Sequence, residues 1–341
     1  MLKAKDIVGM YAIIATPATP DASRLAATDT VDLQESERLI NNLIRDGATG
    51  LIVLGTTGEC ATLSEPDYES FVTCVIETVA GRVPVFVGAT AMGGHQVARR
   101  LKFIQGQGAD GTLLGLPMWQ PTTTKMAVDF YAAVSDMFPN LAVMAYANQR
   151  AFRYPFAPDF WRAVSKAAPT VTSAKYSKLE GLSELIDATD GKINFVPNEM
   201  VVHQFYEATP EMTTACWATA SGMNPTPAVA LMQAIAERNQ AAIDTMVKAI
   251  AWANEPITPL ISKPELFAHY NIQMEKSRIN AAGYSFCGPV RPPYQDFPEE
   301  YAAFARECGR RWAVVCKNYQ GDFTFTERPW DKVETKTSEC A

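Results

Sequence analysis

The chain is predicted to fold as one (β/α)8 barrel with a C-terminal helical extension, and three observations predict it. Eight short apolar or β-branched runs alternate with amphipathic helical segments, the order that rolls a parallel sheet into a barrel. The side chains able to do chemistry collect at the C-terminal ends of those runs, where barrels place their sites. The first run lacks the GxGxxG turn of a dinucleotide-binding open sheet, which leaves an open doubly wound sheet as second choice.

In chain order the strands fall at about 9–15, 50–55, 83–89, 110–117, 141–147, 171–176, 193–198 and 215–221. Between the first two, Asp32 to Arg45 sets Leu33, Leu39, Ile40, Leu43 and Ile44 along one side. After the second, Ser64-Glu-Pro-Asp67 reads as a helix start with proline in the first turn, followed by Phe71, Val72, Val75, Ile76 and Val79. Helical segments at 93–105, 122–137, 158–166, 179–188 and 199–208 continue the series, and another starts near Pro227. From about 240 onward the chain looks helical. Ala241 to Asn254 and Pro298 to Tyr319 are its clearest stretches, with a proline-fixed loop, Cys287-Gly-Pro-Val-Arg-Pro-Pro-Tyr294, between them. The expected division is a catalytic barrel over 1–235, a helical region over 236–320 and a polar, fraying tail over 321–341 to which no function is assigned.

Composition narrows the classes. With 341 residues, 48% of them hydrophobic, the chain can bury a large core. Its net charge is −7 and its basic residues form no stripe, which argues against nucleic-acid binding. Seven cysteines, an odd number without CxxC spacing, read as reduced thiols in a cytoplasmic protein. The three histidines (His95, His203, His269) lack metal-ligand spacing, so no metal site and no histidine triad is expected. Lys3 and Lys5 before Val8 to Ala15 imitate a signal peptide. Asp6 interrupts the imitation and Thr16-Pro17 ends the run as a strand-to-loop junction would, so the segment reads as a first buried strand. No apolar stretch approaches the roughly 20 residues that span a bilayer.

The sixth run, Val171-Thr-Ser-Ala-Lys175, alternates so that Val171, Ser173 and Lys175 share a face. Turned into a barrel, that face desolvates the Lys175 amine, which favours the neutral, nucleophilic form. A lysine at a strand end facing solvent is the bland alternative. The fifth run ends on Tyr146 and Asn148, and a phenol beside an amine can give and take a proton at one place. A rim aromatic is the alternative there. The second run ends in Gly55-Thr-Thr-Gly-Glu59, where two glycines and two hydroxyls form a nest suited to a carboxylate, or an ordinary threonine-capped loop. Leu116-Pro-Met-Trp119 and Ser221-Gly222 close the fourth and eighth runs.

Gly55-Thr-Thr-Gly-Glu59, the tyrosine closing the fifth strand and the lysine in the sixth resemble the pyruvate-dependent class I aldolases, the superfamily of dihydrodipicolinate synthase and N-acetylneuraminate lyase. The resemblance covers roughly residues 8 to 310. It is closer to the aromatic hydratase-aldolases that cleave trans-o-hydroxybenzylidenepyruvate or trans-2'-carboxybenzalpyruvate. Thr16 to Ser23, Gly58 to Leu63, Leu116 to Trp119, Tyr146-Ala-Asn148 with Ala151-Phe152, Tyr270 to Lys276 and Arg291 to Tyr294 carry that likeness.

The resemblance implies that Lys175 forms a Schiff base with a 2-oxo acid, that Thr56 and Thr57 hold its carboxylate, and that Tyr146 shuttles protons. Asn148 and Trp119 match positions expected near the aryl group or the attacking water, and Gly55 and Gly222 are counted with the substrate-binding residues. Arg150 falls where it could meet an ortho-carboxylate on the ring. An exposed loop arginine is the plainer reading of it. The implied reaction needs no cofactor: an aryl-substituted enone is hydrated and cleaved to an aromatic aldehyde and pyruvate, in breakdown of polycyclic aromatic hydrocarbons by a cytoplasmic homotetramer. The rivals are a sugar-acid aldolase or dehydratase of the same superfamily, which would line its pocket with more hydroxyls and carboxylates, and a non-catalytic barrel that senses pyruvate-like ligands. The apolar Pro117-Met-Trp119 segment and the Tyr146–Lys175 pair argue against them in turn.

Overall fold

The computed structural model describes residues 1–332. Eight parallel strands, β1 (Gly9–Ile13), β2 (Gly50–Val53), β3 (Val85–Gly88), β4 (Gly111–Leu114), β5 (Ala142–Tyr146), β6 (Val171–Lys175), β7 (Asn194–Val196) and β8 (Ala215–Ala218), follow one another around a barrel, with β8 back against β1. β7 and β8 share no full ladder. Trp217 N–H donates to Pro197 O (2.9 Å) and Glu199 N–H to Trp217 O (3.0 Å), and these two backbone bonds, with the Trp217 indole N–H donating to Val196 O (3.1 Å), close the circle. Nearly every strand residue is buried, which is why the runs read as continuous apolar stretches rather than alternating ones.

Inside the barrel, large rings from odd strands are accommodated by glycine on even ones. The Tyr11 and Phe86 rings meet edge to face at 6.0 Å. A Cβ at Gly50 would lie 2.2 Å from the Tyr11 ring, and one at Gly111 2.5 Å from that of Phe86.

The outer helices are α1 (Leu33–Arg45), α2 (Glu65–Val79), α3 (Gly94–Gln107), α4 (Thr124–Met137), the single turn α5 (Gln149–Phe152), α6 (Pro158–Ala167), α7 (Leu182–Ala188), α8 (Val202–Ala208) and α9 (Thr226–Ala236). Asp32, Ser64 and Thr123 cap α1, α2 and α4 through their side-chain oxygens. Two helices start three residues later than their sequence suggests. Gly181 takes φ +74° as the cap of α7, and Asn198 and Glu199 are drawn into the closing seam, so α8 waits until Val202.

Beyond the barrel lie α10 (Gln240–Asn254), the short α11 (Thr258–Ile261), α12 (Pro264–Ala282) and α13 (Glu299–Asn318). α12 bends at Tyr270 (φ −120°, ψ 16°) and packs closely on α13, where a Cβ at Gly309 would lie 2.1 Å from Arg278 O. Its apolar periodicity is weak because its buried positions include Glu275, Lys276 and Arg278. The stretch after Gly321 is ordered further than its polarity suggests. Tyr319–Gly321 and Thr324–Phe325 form a hairpin, and Trp330 is buried against Phe325 and Trp252. The rest of the expected tail, with Cys340, lies outside the described residues. Cys60, Cys74, Cys216, Cys287, Cys308 and Cys316 are free thiols.

Candidate active site

The β5–β6 register places Tyr146 directly opposite Lys175. Both side chains project from the C-terminal mouth into a cavity of about 870 Å³, lined also by Thr56, Thr57, Asn148, Arg150, Trp217, Phe267, Asn271 and Glu275. The Lys175 Nζ lies 5.0 Å from the Tyr146 ring centre and 3.2 Å from that of Trp217. Burial lowers its pKa below the ordinary lysine range, while Tyr146, Glu199 and Glu275 pull in the opposite sense. An amine whose charged form is disfavoured is available as a nucleophile closer to neutral pH.

Tyr146 Oη shares a 2.9 Å hydrogen bond with Thr56 Oγ1 and accepts a long one, 3.4 Å, from Asn148 Nδ2. Burial alone would raise the phenol. The charge on Lys175 and the bonds from Thr56 and Asn148 more than offset it, so its pKa falls below 10. Amine and phenol are therefore coupled, and a proton on one changes the cost of a proton on the other. Asn148 is held by its own turn: its Oδ1 caps α5 by accepting from Ala151 N–H at 3.1 Å.

Thr57 is buried beside Thr56 at the cavity wall. Gly55 borders a second chamber of about 300 Å³, which also touches Thr56 and Tyr146 and is otherwise walled by residues such as Met118, Phe152 and Ile272. Arg150 reaches the rim of the larger cavity, donating to Pro264 O at 3.3 Å with its guanidinium 4.8 Å above the Phe267 ring. Lys175, Tyr146, Thr56, Thr57, Asn148 and Arg150 thus converge on one space. Two residues expected there stand apart. Trp119 is 73% exposed in the loop after β4 and lines neither chamber. Gly222 is buried behind β8, where its bare Cα admits Ile279 and its carbonyl accepts from Ser285 Oγ.

The structure adds residues that sequence reasoning had not singled out. Trp217 stands on the closing strand, level with Tyr11, which points inward. Asn271, Glu275 and Arg278 lie on one face of α12 at helical spacing, a signal that was available. Glu275 pairs with Arg278 at 2.7 Å, and Arg278 also donates to Thr219 and Asn254.

Glu199 is buried in the seam, its Oε2 accepting from Asn198 Nδ2 and its Oε1 without a hydrogen-bond partner among the described residues. Burial pushes its pKa up from 4.5 to about 7. The folded protein therefore holds this proton at a pH where the unfolded chain has lost it. Its contribution to stability is fully present below 4.5 and lost as pH rises to about 7, a change of about 3 kcal/mol. Melting curves of Glu199→Gln between pH 5 and 8 should lack this component of the wild-type decline; an identical decline would place the titration elsewhere.

Among the described residues no group of three or more His, Cys, Asp or Glu side chains could hold a metal ion, and no helix is long and apolar enough to cross a membrane.

A model of the dihydrodipicolinate synthetase family matches residues 12–175. A trans-o-hydroxybenzylidenepyruvate hydratase-aldolase from Pseudomonas aeruginosa is 38% identical over 325 residues, which span 94% of this chain and 96% of the relative. A trans-2'-carboxybenzalpyruvate hydratase-aldolase from Nocardioides sp. (strain KP7) is 35% identical over 319 residues, 92% of this chain and 95% of its own. Among solved structures, PhdJ bound to a substrate intermediate superposes with a TM-score of 0.90 at 34% identity, covering 93% of this chain and 99% of that one. A dihydrodipicolinate synthase from Thermotoga maritima, at 20% identity and a TM-score of 0.76 over 90% and 98% of the two chains, shares the fold.

Proposed function

We infer the reaction from the premise that this chain belongs to the dihydrodipicolinate synthetase family: it is a pyruvate-type class I aldolase, a carbon–carbon lyase acting as a hydratase-aldolase on aryl-substituted benzylidenepyruvates, in the breakdown of polycyclic aromatic hydrocarbons. The observation that carries the reading is the pairing of Lys175 with Tyr146 across β5 and β6, with Thr56 bonded to the phenol.

The neutral Lys175 amine attacks the ketone carbon of the 2-oxo acid while the Thr56-Thr57 turn receives its carboxylate. Tyr146 donates the proton that lets the carbinolamine oxygen leave as water. The resulting iminium draws electrons through the conjugated alkene, so water adds at the benzylic carbon and a proton arrives at C3. Loss of the benzylic hydroxyl proton then breaks the C3–C4 bond. The bonding pair passes to the iminium nitrogen as an enamine, and the aromatic aldehyde departs. Protonation at C3 and hydrolysis release pyruvate and free lysine. The imine is the electron sink throughout, so the residues need no cofactor. Asn148 stands where it can hold the added water. Phe156, Phe267 and Met200 give the aryl group an apolar wall. The catalytic barrel spans 1–235 and the helical region 236–320 closes its mouth. On the family resemblance the reading extends to a cytoplasmic homotetramer, which light scattering on the purified protein measures for its assembly.

Borohydride added with pyruvate should fix a three-carbon adduct on Lys175, read by mass spectrometry, and mixing with a benzalpyruvate should bleach its absorbance. A protein that only senses the ligand would gain no mass, and a sugar-acid enzyme would leave the enone untouched.

Arg150 at the rim bears on the ring substituent. Its guanidinium would pair with an ortho-carboxylate and gain little from an ortho-hydroxyl. Arg150→Ala should lower kcat/KM for the carboxy substrate by about tenfold, with the hydroxy substrate changing within about twofold. An unchanged preference would remove Arg150 from substrate selection.

A further inference from the structure

The Gly55–Gly58 turn is bracketed by two non-glycine residues in the left-handed region, Leu54 (φ +59°) and Glu59 (φ +54°). Such residues stay there only where their surroundings enforce it. On the Glu59 side the enforcement is ionic. Its carboxylate, fully buried, meets Lys276 Nζ at 2.6 Å and Arg291 Nη1 at 2.5 Å, and accepts from the Arg291 backbone N–H at 2.9 Å. Arg291 then donates to the carbonyls of Thr30 (2.7 Å), Pro17 (3.2 Å) and Thr16 (3.4 Å), and Lys276 to Pro289 O (2.7 Å). Thr16 Oγ1 grips the same turn one residue earlier, donating to Gly58 O at 2.7 Å.

All three charged side chains are 2% exposed or less. Taking three charges out of water is a poor way to gain stability, since apolar side chains of similar size often serve as well. What the ions supply is directional bonding at a fixed place. Lys276 stands on the same stretch of α12 that sends Asn271, Glu275 and Arg278 to the cavity. The helical region therefore grips the Thr56-Thr57 turn from behind while forming part of the cavity wall.

We propose that Glu59, Lys276 and Arg291 are positioning residues that fix the Thr56-Thr57 turn in the shape that receives the substrate carboxylate. The proposal rests on the imine reading above. Its test compares two ketones that differ in that carboxylate: borohydride trapping of pyruvate and of acetone on the full-length protein, for wild type, Lys276→Met and Arg291→Lys. In a variant that melts cooperatively, the pyruvate concentration for half-maximal trapping should rise about 10- to 100-fold while trapping of acetone changes by less than about twofold. Arg291→Lys keeps the charge but loses the planar fork, so it should show the same selectivity with a smaller rise. Parallel loss with both ketones, an unchanged pyruvate curve in a folded variant, or failure of both variants to fold would overturn the proposal and leave the triad a purely structural one. Absence of any wild-type adduct would instead sink the imine reading, a result distinguishable from all of these.

Discussion

Lys175→Ala should reduce turnover of a benzalpyruvate by about 10⁴-fold or more, to a level indistinguishable from background, and leave the fold intact. On the imine reading, the reaction has no other route to its electron sink. Without the amine there is no iminium, so neither conjugate addition of water nor cleavage of the C3–C4 bond is assisted. The fold has little reason to respond. The β6 ladder bonds belong to the backbone, and the side chain that goes is one whose burial is unfavourable. Thermal melting should be unchanged or slightly higher. A residual rate near that of the wild type would refute imine catalysis. A rate lost together with the melting transition would show that Lys175 holds the barrel rather than the substrate.

Tyr146→Phe should slow the same reaction by about 10²–10⁴, the span usual for a lost acid–base group. The ring and its edge contact with Phe152 at 5.4 Å survive the change, so packing is conserved. What is lost is the hydroxyl that bonds Thr56 and receives Asn148. The phenol also shapes the amine's titration, because its negative form favours the ammonium. With the hydroxyl gone, Lys175 keeps only burial and the pull of Glu199 and Glu275. Its pKa should fall further, and the pH at which pyruvate is captured should move down while the maximal rate drops. A rate drop with no shift of the pH profile would assign Tyr146 to proton transfer alone. An unchanged rate would remove it from the chemistry.

All eight strands were legible because a strand buried on both faces has no polar alternation to confuse the reading, and because Ser64 with Pro66 and the Asp32 cap mark helix starts without tertiary help. Lys175, Tyr146 and the threonine turn could be grouped from sequence because parallel neighbours bring their ends together automatically. What escaped depends on non-local partners. Glu199 reads as the start of a helix until the seam claims its backbone. α12 hides its apolar periodicity because its buried face is charged; Glu275 and Arg278 pair within the helix, whereas the charge of Lys276 makes sense only once Glu59 stands beside it. Trp119 looks like an apolar wall of the pocket, yet the loop holding it turns it outward, with Arg153 bonded to its carbonyl.

The place where β7 meets β8 has a consequence for breathing. Every other strand junction is a ladder, whereas this one rests on the backbone amides of Trp217 and Glu199 and on the Trp217 indole N–H, which donates to Val196 O at 3.1 Å. Local opening of the barrel should begin there, so deuterium should enter these two amides before those of the other strands. The Trp217 ring lies against the Lys175 nitrogen. A covalent adduct on that nitrogen would lie beside the weakest stave of the cask, so trapping pyruvate there should alter how fast deuterium reaches those two amides.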